Sequence, residues 1–250
     1  MSPLKIWHIG GDGPIGPAQA ILNKHKEAEL VTFDARPEHG MPLCFDEFDG
    51  EADFYITRNG MASGLLRSAP AVAEEQCLWD VEGVRRVDVW GDITTVEKVE
   101  RVRTTTVDAY AALHGAPDVL SLDVQGAEMR VLRGAVATLP SVLCCITEVE
   151  FWEIYAGQGL FDHQMAFMRE RGFRLAGMYN LQPWHQGEPM GTGFTTVAEA
   201  IWLRFSDVET LTAHQLLKLT LISAIYDRTA FAKKVWNMAQ QKMSLAGVAL

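Results

Sequence analysis

The chain has 250 residues and a mass of 27.7 kDa, enough for one large domain, with or without an appendage, to bury a full core without disulfides or structural metals. Apolar residues make up 48% and charged residues 22%, which excludes disordered, fibrous and small-scaffold classes. Lys and Arg total 22 against 32 Asp and Glu, a formal net charge of −10, so a broad nucleic-acid-binding face, which needs positive charge to displace counterions, is excluded too.

The first thirty-odd residues read as strand, glycine-rich turn, helix, strand. Leu4–Ile9 is a short apolar strand that stops at Gly10-Gly11-Asp12-Gly13-Pro14-Ile15-Gly16. A helical pattern follows from Pro17 to about Lys26, with proline suited to a first helical turn. Leu30–Phe33 is the second strand, closed by Asp34. Glycines after a strand allow close backbone approach to a ligand, and an acid about 20 residues on stands where ribose hydroxyls are met in Rossmann-type sites. The candidate cofactor residues are therefore His8, Gly10, Gly11, Asp12, Gly13, Asp34 and the neighbouring Arg36.

The middle is less regular. Asp53–Thr57 is a strand, with a polar loop from Arg58 to Gly64 behind it. The only dense basic run, Arg85, Arg86, Lys98, Arg101 and Arg103, is interleaved with five acids from Glu82 to Glu100, which predicts a solvated face. Val99 to Val107 alternates as an edge strand leading into a helix from Val107 to His114. Asp118–Asp123 is a buried strand whose last carboxylate projects at the carboxyl edge of a sheet. A helix from Ala127 to Leu139, a strand from Leu143 to Val149, a helix from Phe161 to Arg171 and strands Phe173–Met178 and Ala198–Phe205 complete the series. Strands alternating with helices predict a mostly parallel sheet covered on both faces. Residues 1–206 are read as this domain, and residues 207–250 as an extension of two amphipathic helices, Thr212–Ala224 and Ala230–Met243, packed on the domain or at a subunit interface.

Four acidic positions stand out within this series. Asp123 lies at a strand end, and Glu128 falls in the first helical turn beyond Gly126, where an acid also complements the helix dipole. Alternation puts Glu148 and Glu150 on one side of an otherwise apolar strand, a costly place inside a core, which predicts an edge or a cleft. Histidines are scattered without paired spacing, so no zinc site is indicated; His163 and His185 are lone candidates for a base. Four cysteines (Cys44, Cys77, Cys144, Cys145) lack C-x-x-C spacing and read as free thiols. No stretch reaches the roughly 20 apolar residues of a membrane span, and the N-terminal segment lacks a secretory core, which predicts a cytoplasmic protein. Hydrolase elbows and phosphate-binding Lys loops are absent.

The succession Leu120–Glu128, Val131-Leu132-Arg133-Gly134-Ala135, Glu148-Val149-Glu150-Phe151, Tyr155–Phe161 and Arg171–Leu175 resembles the FkbM-type methyltransferases of the class I superfamily. Phe54–Asn59 with Ser63, and Thr105–Asp108, fit the same pattern. The resemblance spans about residues 5 to 205. It implies a Rossmann-like class I fold with a seven-stranded, mostly parallel sheet, and methyl transfer from S-adenosyl-L-methionine to a hydroxyl of a sugar or secondary metabolite. It further implies Gly10 to Gly13 under the methionine part, Asp34 on the ribose, and Asp123 facing the transfer cleft. Candidates for handling the hydroxyl proton are then Asp123, Glu128, Glu148, Glu150 and His185. A divalent metal has no supporting motif, and the C-terminal helices are a candidate homo-oligomer surface. His8 stands where the family usually has an acid, and Asp34 reaches Met41 without the usual helix. These two departures keep a second reading open, a degenerate methyltransferase fold serving as a binding or assembly module. A nicotinamide oxidoreductase fits the first βαβ unit only.

Overall fold

A computed structural model describes residues 2–11, 15–81, 84–188 and 190–247. Asp12 and Gly13 of the glycine turn lie outside them. Strand β1 (Lys5–Ile9) runs into that turn and α1 (Gln19–Lys24), and β2 (Glu29–Asp34) returns parallel to β1. Then come β3 (Met41–Pro42), β4 (Cys44–Phe45), β5 (Gly50–Thr57), β6 (Glu75–Val81), β7 (Val84–Val89), α2 (Trp90–Ile93) and β8 (Val96–Thr105). Regular alternation resumes with α3 (Val107–His114), β9 (Val119–Leu122), α4 (Glu128–Arg133), β10 (Cys144–Glu150), α5 (Phe161–Glu170), β11 (Phe173–Gln186) and β12 (Phe194–Arg204). Helices α6 (Ala213–Ile225) and α7 (Thr229–Leu245) end the chain.

The main sheet has nine strands in the order β3-β2-β1-β9-β10-β12-β11-β6-β7. This corrects the expected seven-stranded, mostly parallel sheet. Its half from β3 to β10 is parallel, but β12 runs antiparallel to β10, and β11 antiparallel to β12. A short connection joins β11 to β12, and only antiparallel neighbours can be joined that way. The hairpin β6–β7 then extends the edge by pairing with the far end of β11. A second sheet, β4-β8-β5, places β8 in the middle, not at the edge that its alternation suggests. Helix α4 is shorter than expected, ending before Gly134.

Alternation along the strands sorts the side chains into two layers. One face carries Trp7, Ile9, Leu120, Leu122, Cys145, Val149 and Trp202, packed against Met129 and Leu132 of α4, Met168 of α5 and the ring of Tyr110 on α3. The other carries Ile6, Val119, Cys144, Ile146, Ile201 and Leu203 beneath Ile21 of α1, Leu216 and Leu219 of α6 and Val235 of α7. The two C-terminal helices therefore continue the core of the sheet they lie on. All four cysteines are free and buried.

On that second face the register lines residues up in rows across the sheet. The lowest row is apolar: Ile6, Val119, Cys144 and Leu203. The next, two residues further along each strand, holds His8, Ser121, Ile146 and Ile201. The third reaches Glu148 opposite Glu199, with Asp123 just past the end of β9. Polarity thus rises row by row toward the carboxyl ends of the parallel strands, where open α/β sheets bind their ligands.

Candidate functional site

A cavity of about 1730 Å³ opens over that third row. Its walls come from Gly10 and Gly11 after β1, Asp34 and Arg36 at the end of β2, the Arg58–Gly64 loop, Trp90 and Ile93 of α2, Asp123–Gln125 after β9, and Asn180–Trp184 of β11. Glu148 and Glu199 stand side by side on its floor.

The glycine turn is shaped by steric need. Gly10 has φ +105°, a conformation that favours glycine, and a Cβ there would run into the Asp123 carbonyl oxygen. The turn is therefore packed against the very segment that carries Asp123. The Asp34 carboxylate ties its own neighbourhood together, accepting the Gly11 amide at 3.1 Å, the Arg36 amide at 2.7 Å and the Arg36 Nε at 3.2 Å. His8 is 2% exposed and shares a 3.0 Å hydrogen bond between its Nδ1 and the Ser121 hydroxyl. Burial lowers its pKa to about 4, against the opposing pull of the Gly10 backbone and the Asp34 charge.

The run from Asp123 to Glu128 has a division of labour. Gln125 and Gly126 both take positive φ, which turns the chain sharply out of β9. The Gln125 amide donates to Asp123 Oδ1 at 2.6 Å, and the Tyr155 hydroxyl donates to Gln125 Oε1 at 2.5 Å. Tyr155 packs so closely over Gly126 that a Cβ at that position would collide with its ring. Glu128 Oε1 accepts the Val124 amide at 2.8 Å. Fully buried, Glu128 closes the turn from within and does not line the cavity.

Burial raises the pKa of five acids here, on or just after β9, β10 and β12. Asp123 rises to about 6, with the Gln125 hydrogen bond opposing, and Glu128 to about 8. Glu199 rises to about 7 through burial and the charge of Asp123. Glu148 and Glu150 are pushed well above the carboxylate range by burial and by neighbouring acids, Asp123 and Glu150 foremost for Glu148, Glu128 and Asp123 for Glu150. The strand β10 that carries them lies between β9 and β12, so it is not the edge that two acids suggest. Glu148 does face the cleft. Glu150 is fully buried, and neither of its oxygens has a hydrogen-bond partner.

Of the expected site residues, the cavity brings together Gly10, Gly11, Asp34, Arg36, Asp123 and Glu148. His8 lies one layer beneath, while Glu128 and Glu150 are buried beside the cavity. His185 is 5% exposed on β11 and does not line it. His163 sits at the start of α5, accepting the Leu160 amide at 3.2 Å. Of the aromatic side chains, Tyr155 and Trp184 are buried against Trp90, the first edge-on and the second tilted. Glu199 is the residue that sequence reasoning missed. The signal was a lone acid between Ala198 and Ala200 in an apolar strand, the same anomaly that marks Glu148. Asn180 escaped too; it takes positive φ at an irregularity in the β11–β12 pairing and donates its amide to Glu199 Oε2. Irregularities of this kind re-aim side chains beside active sites.

Among the described residues, no group of three or more His, Cys, Asp or Glu is placed to hold a metal ion, and no helix is long and apolar enough to cross a membrane. No curated protein matches the chain. A crystal structure of MtNAS in complex with MTA and tNA is similar at a TM-score of 0.32 and 14% identity, over 82% of this chain and 55% of that one. The chain thus spans just over half the length of that structure. The methyltransferase FkbM domain matches residues 48–175, half of the chain, from β5 through Asp123, Glu148 and Glu150 into β11. The chain belongs to the FkbM methyltransferase domain family.

Proposed function

We propose that the protein is an S-adenosyl-L-methionine-dependent O-methyltransferase acting on a hydroxyl of a sugar or secondary metabolite. One observation carries the reading: the Gly10–Gly11 turn, the Asp34 carboxylate and Asp123 open into a single cavity at the carboxyl ends of parallel strands. The donor, when bound, supplies an electrophilic methyl group on a sulfonium.

The residues present fit such a donor. Gly10 and Gly11 let backbone come close to its methionine part, without side chains in the way. Asp34 retains a lone pair on Oδ2 for a ribose hydroxyl, while Arg36 holds that carboxylate in place through Oδ1. Asp123 stands on the cavity wall with its ionisation raised to about 6, near the neutral range, which suits a group that takes a proton from an acceptor hydroxyl, and Glu148 lines the cavity beside it. The apolar rings and chains of Trp90, Ile93 and Trp184 exclude water from the opposite wall. The main task of the protein is then alignment of the hydroxyl oxygen with the methyl group.

Calorimetric titration with S-adenosyl-L-methionine and S-adenosylhomocysteine tests this reading. Micromolar binding that is lost in Asp34→Ala supports it and leads to a screen of hydroxylated acceptors with and without magnesium. Absence of binding to the folded protein sinks it. One observation favours the rival reading of a non-catalytic module: the family match begins at residue 48, after the glycine turn and Asp34. The same titration decides between the two.

A further inference from the structure

Beneath the acidic floor lies a second, small cavity of about 10 Å³, the size of one water. It is lined by His8 and Ser121 on one side and by Asp123, Glu148 and Glu199 on the other. The three acids therefore separate the two cavities. His8 is 2% exposed, and with Nδ1 committed to Ser121 its Nε2 has no hydrogen-bond partner among the described residues. A buried ring nitrogen without a partner, beside a polar space that holds one water, calls for that water as its partner.

The charges around this space are unbalanced. The groups acting electrostatically on Glu148 are Asp123, Glu150, Glu128 and Glu199, all acids. Asp34 faces His8 from β2, and Tyr155 and Tyr226 border the acids as neutral phenols. Asn180 supplies Glu199 with a neutral donor. Arg36 is hydrogen-bonded to Asp34, and Arg58 lies 3.8 Å from Glu97, more than half exposed.

We propose that His8, Asp123, Glu148 and Glu199 form one proton-sharing unit around the inner cavity, and that it releases a proton to solvent when a cationic methyl donor enters the main cavity above. The inference rests on the donor reading and deepens it. A carboxylic acid of the unit loses its proton and remains as a carboxylate facing the incoming positive charge. The neutral thioether product lacks that charge and does not hold the unit ionised. The protein thereby distinguishes donor from product through protonation. The raised ionisation of Asp123 and Glu199, to about 6 and about 7, places the effect in the neutral range.

Titration calorimetry in two buffers of different ionisation enthalpy measures the protons exchanged. S-adenosyl-L-methionine releases on the order of one proton near pH 6.5, whereas S-adenosylhomocysteine releases far less. The preference for donor over product rises about tenfold as pH goes from about 5.5 to about 8, the equivalent of one pKa unit. Glu199→Gln, and independently Glu148→Gln, cut the release by more than half in protein whose melting is still cooperative. Binding of both ligands with no proton exchange, or equal exchange for both, overturns this inference alone. Failure of both to bind defeats the methyltransferase reading, and this inference with it.

Discussion

The two ends of strand β9 carry buried charge in opposite ways. At its start, Asp118 accepts the Lys5 amide at 2.9 Å and pairs with Lys218 of α6 at 2.6 Å, and Lys218 also bonds the Pro3 carbonyl at 2.9 Å. Nearby at the same end of the sheet, the buried Arg204 guanidinium meets the Val142, Arg171 and Leu139 carbonyls and the Asp207 carboxylate. Each charge there has a counterpart. At the far end of β9, the charges acting on Glu148 and Glu150 are all acidic, and buried oxygens of Glu128 and Glu150 lack hydrogen-bond partners among the described residues. One end is built to hold the fold together, and the other keeps polar capacity open for a ligand. The contrast supports the proposed site without reference to any relative.

The largest expected effect falls at the satisfied end. Lys218→Met leaves the part-buried Asp118 without its cation and costs about 2–4 kcal/mol in urea unfolding, while adding Asp118→Leu restores much of that loss. A cost near zero would erase the contrast. Next comes Gly10→Ala, where a side chain meets backbone at a left-handed φ; it costs about 2–4 kcal/mol and abolishes donor binding. Both losses are read by unfolding and titration of the same sample.

The acidic end responds to pH in the opposite sense from ordinary carboxylates. Folded-state values of about 6, 7 and 8 for Asp123, Glu199 and Glu128 lie above those of the unfolded chain. The native state therefore binds more protons, and its stability is full below about pH 4 and falls as pH rises through these values. The free energy of unfolding falls by at least about 2 kcal/mol between about pH 5 and pH 8, and Glu128→Gln flattens the slope. Stability rising across that range would contradict the assignment. The smallest effect is at the cap of α6, where the Thr212 hydroxyl accepts the Gln215 amide at 3.2 Å. Thr212→Ala costs about 1 kcal/mol by thermal melting and leaves donor binding intact.

The order of most strands and helices was readable from local patterns, and the glycine turn, Asp34, Asp123 and Glu148 were readable as chemistry. What escaped depends on long-range pairing. The stretch from Glu75 to Val89 alternates charge and apolar residues like any solvated surface; only the far end of β11 makes it a sheet edge. Glu199 looks like a blemish in a core strand until the register sets it opposite Glu148. His185 looked like a base because it is a histidine late in the chain, but strand alternation turns it away from the cavity that its neighbour Trp184 lines. His8 and the acids meet only because β1, β9, β10 and β12 are neighbours in space.

Trp90 and Trp184 bring a consequence for spectroscopy. Both line the main cavity, both are nearly inaccessible to solvent, and their ring centroids lie 4.7 Å apart at 48°. Two indoles this close couple their excited states, so anything that shifts one ring alters the near-ultraviolet circular dichroism of the pair. The wall of the site thus carries an intrinsic optical reporter that registers occupancy without label or assay.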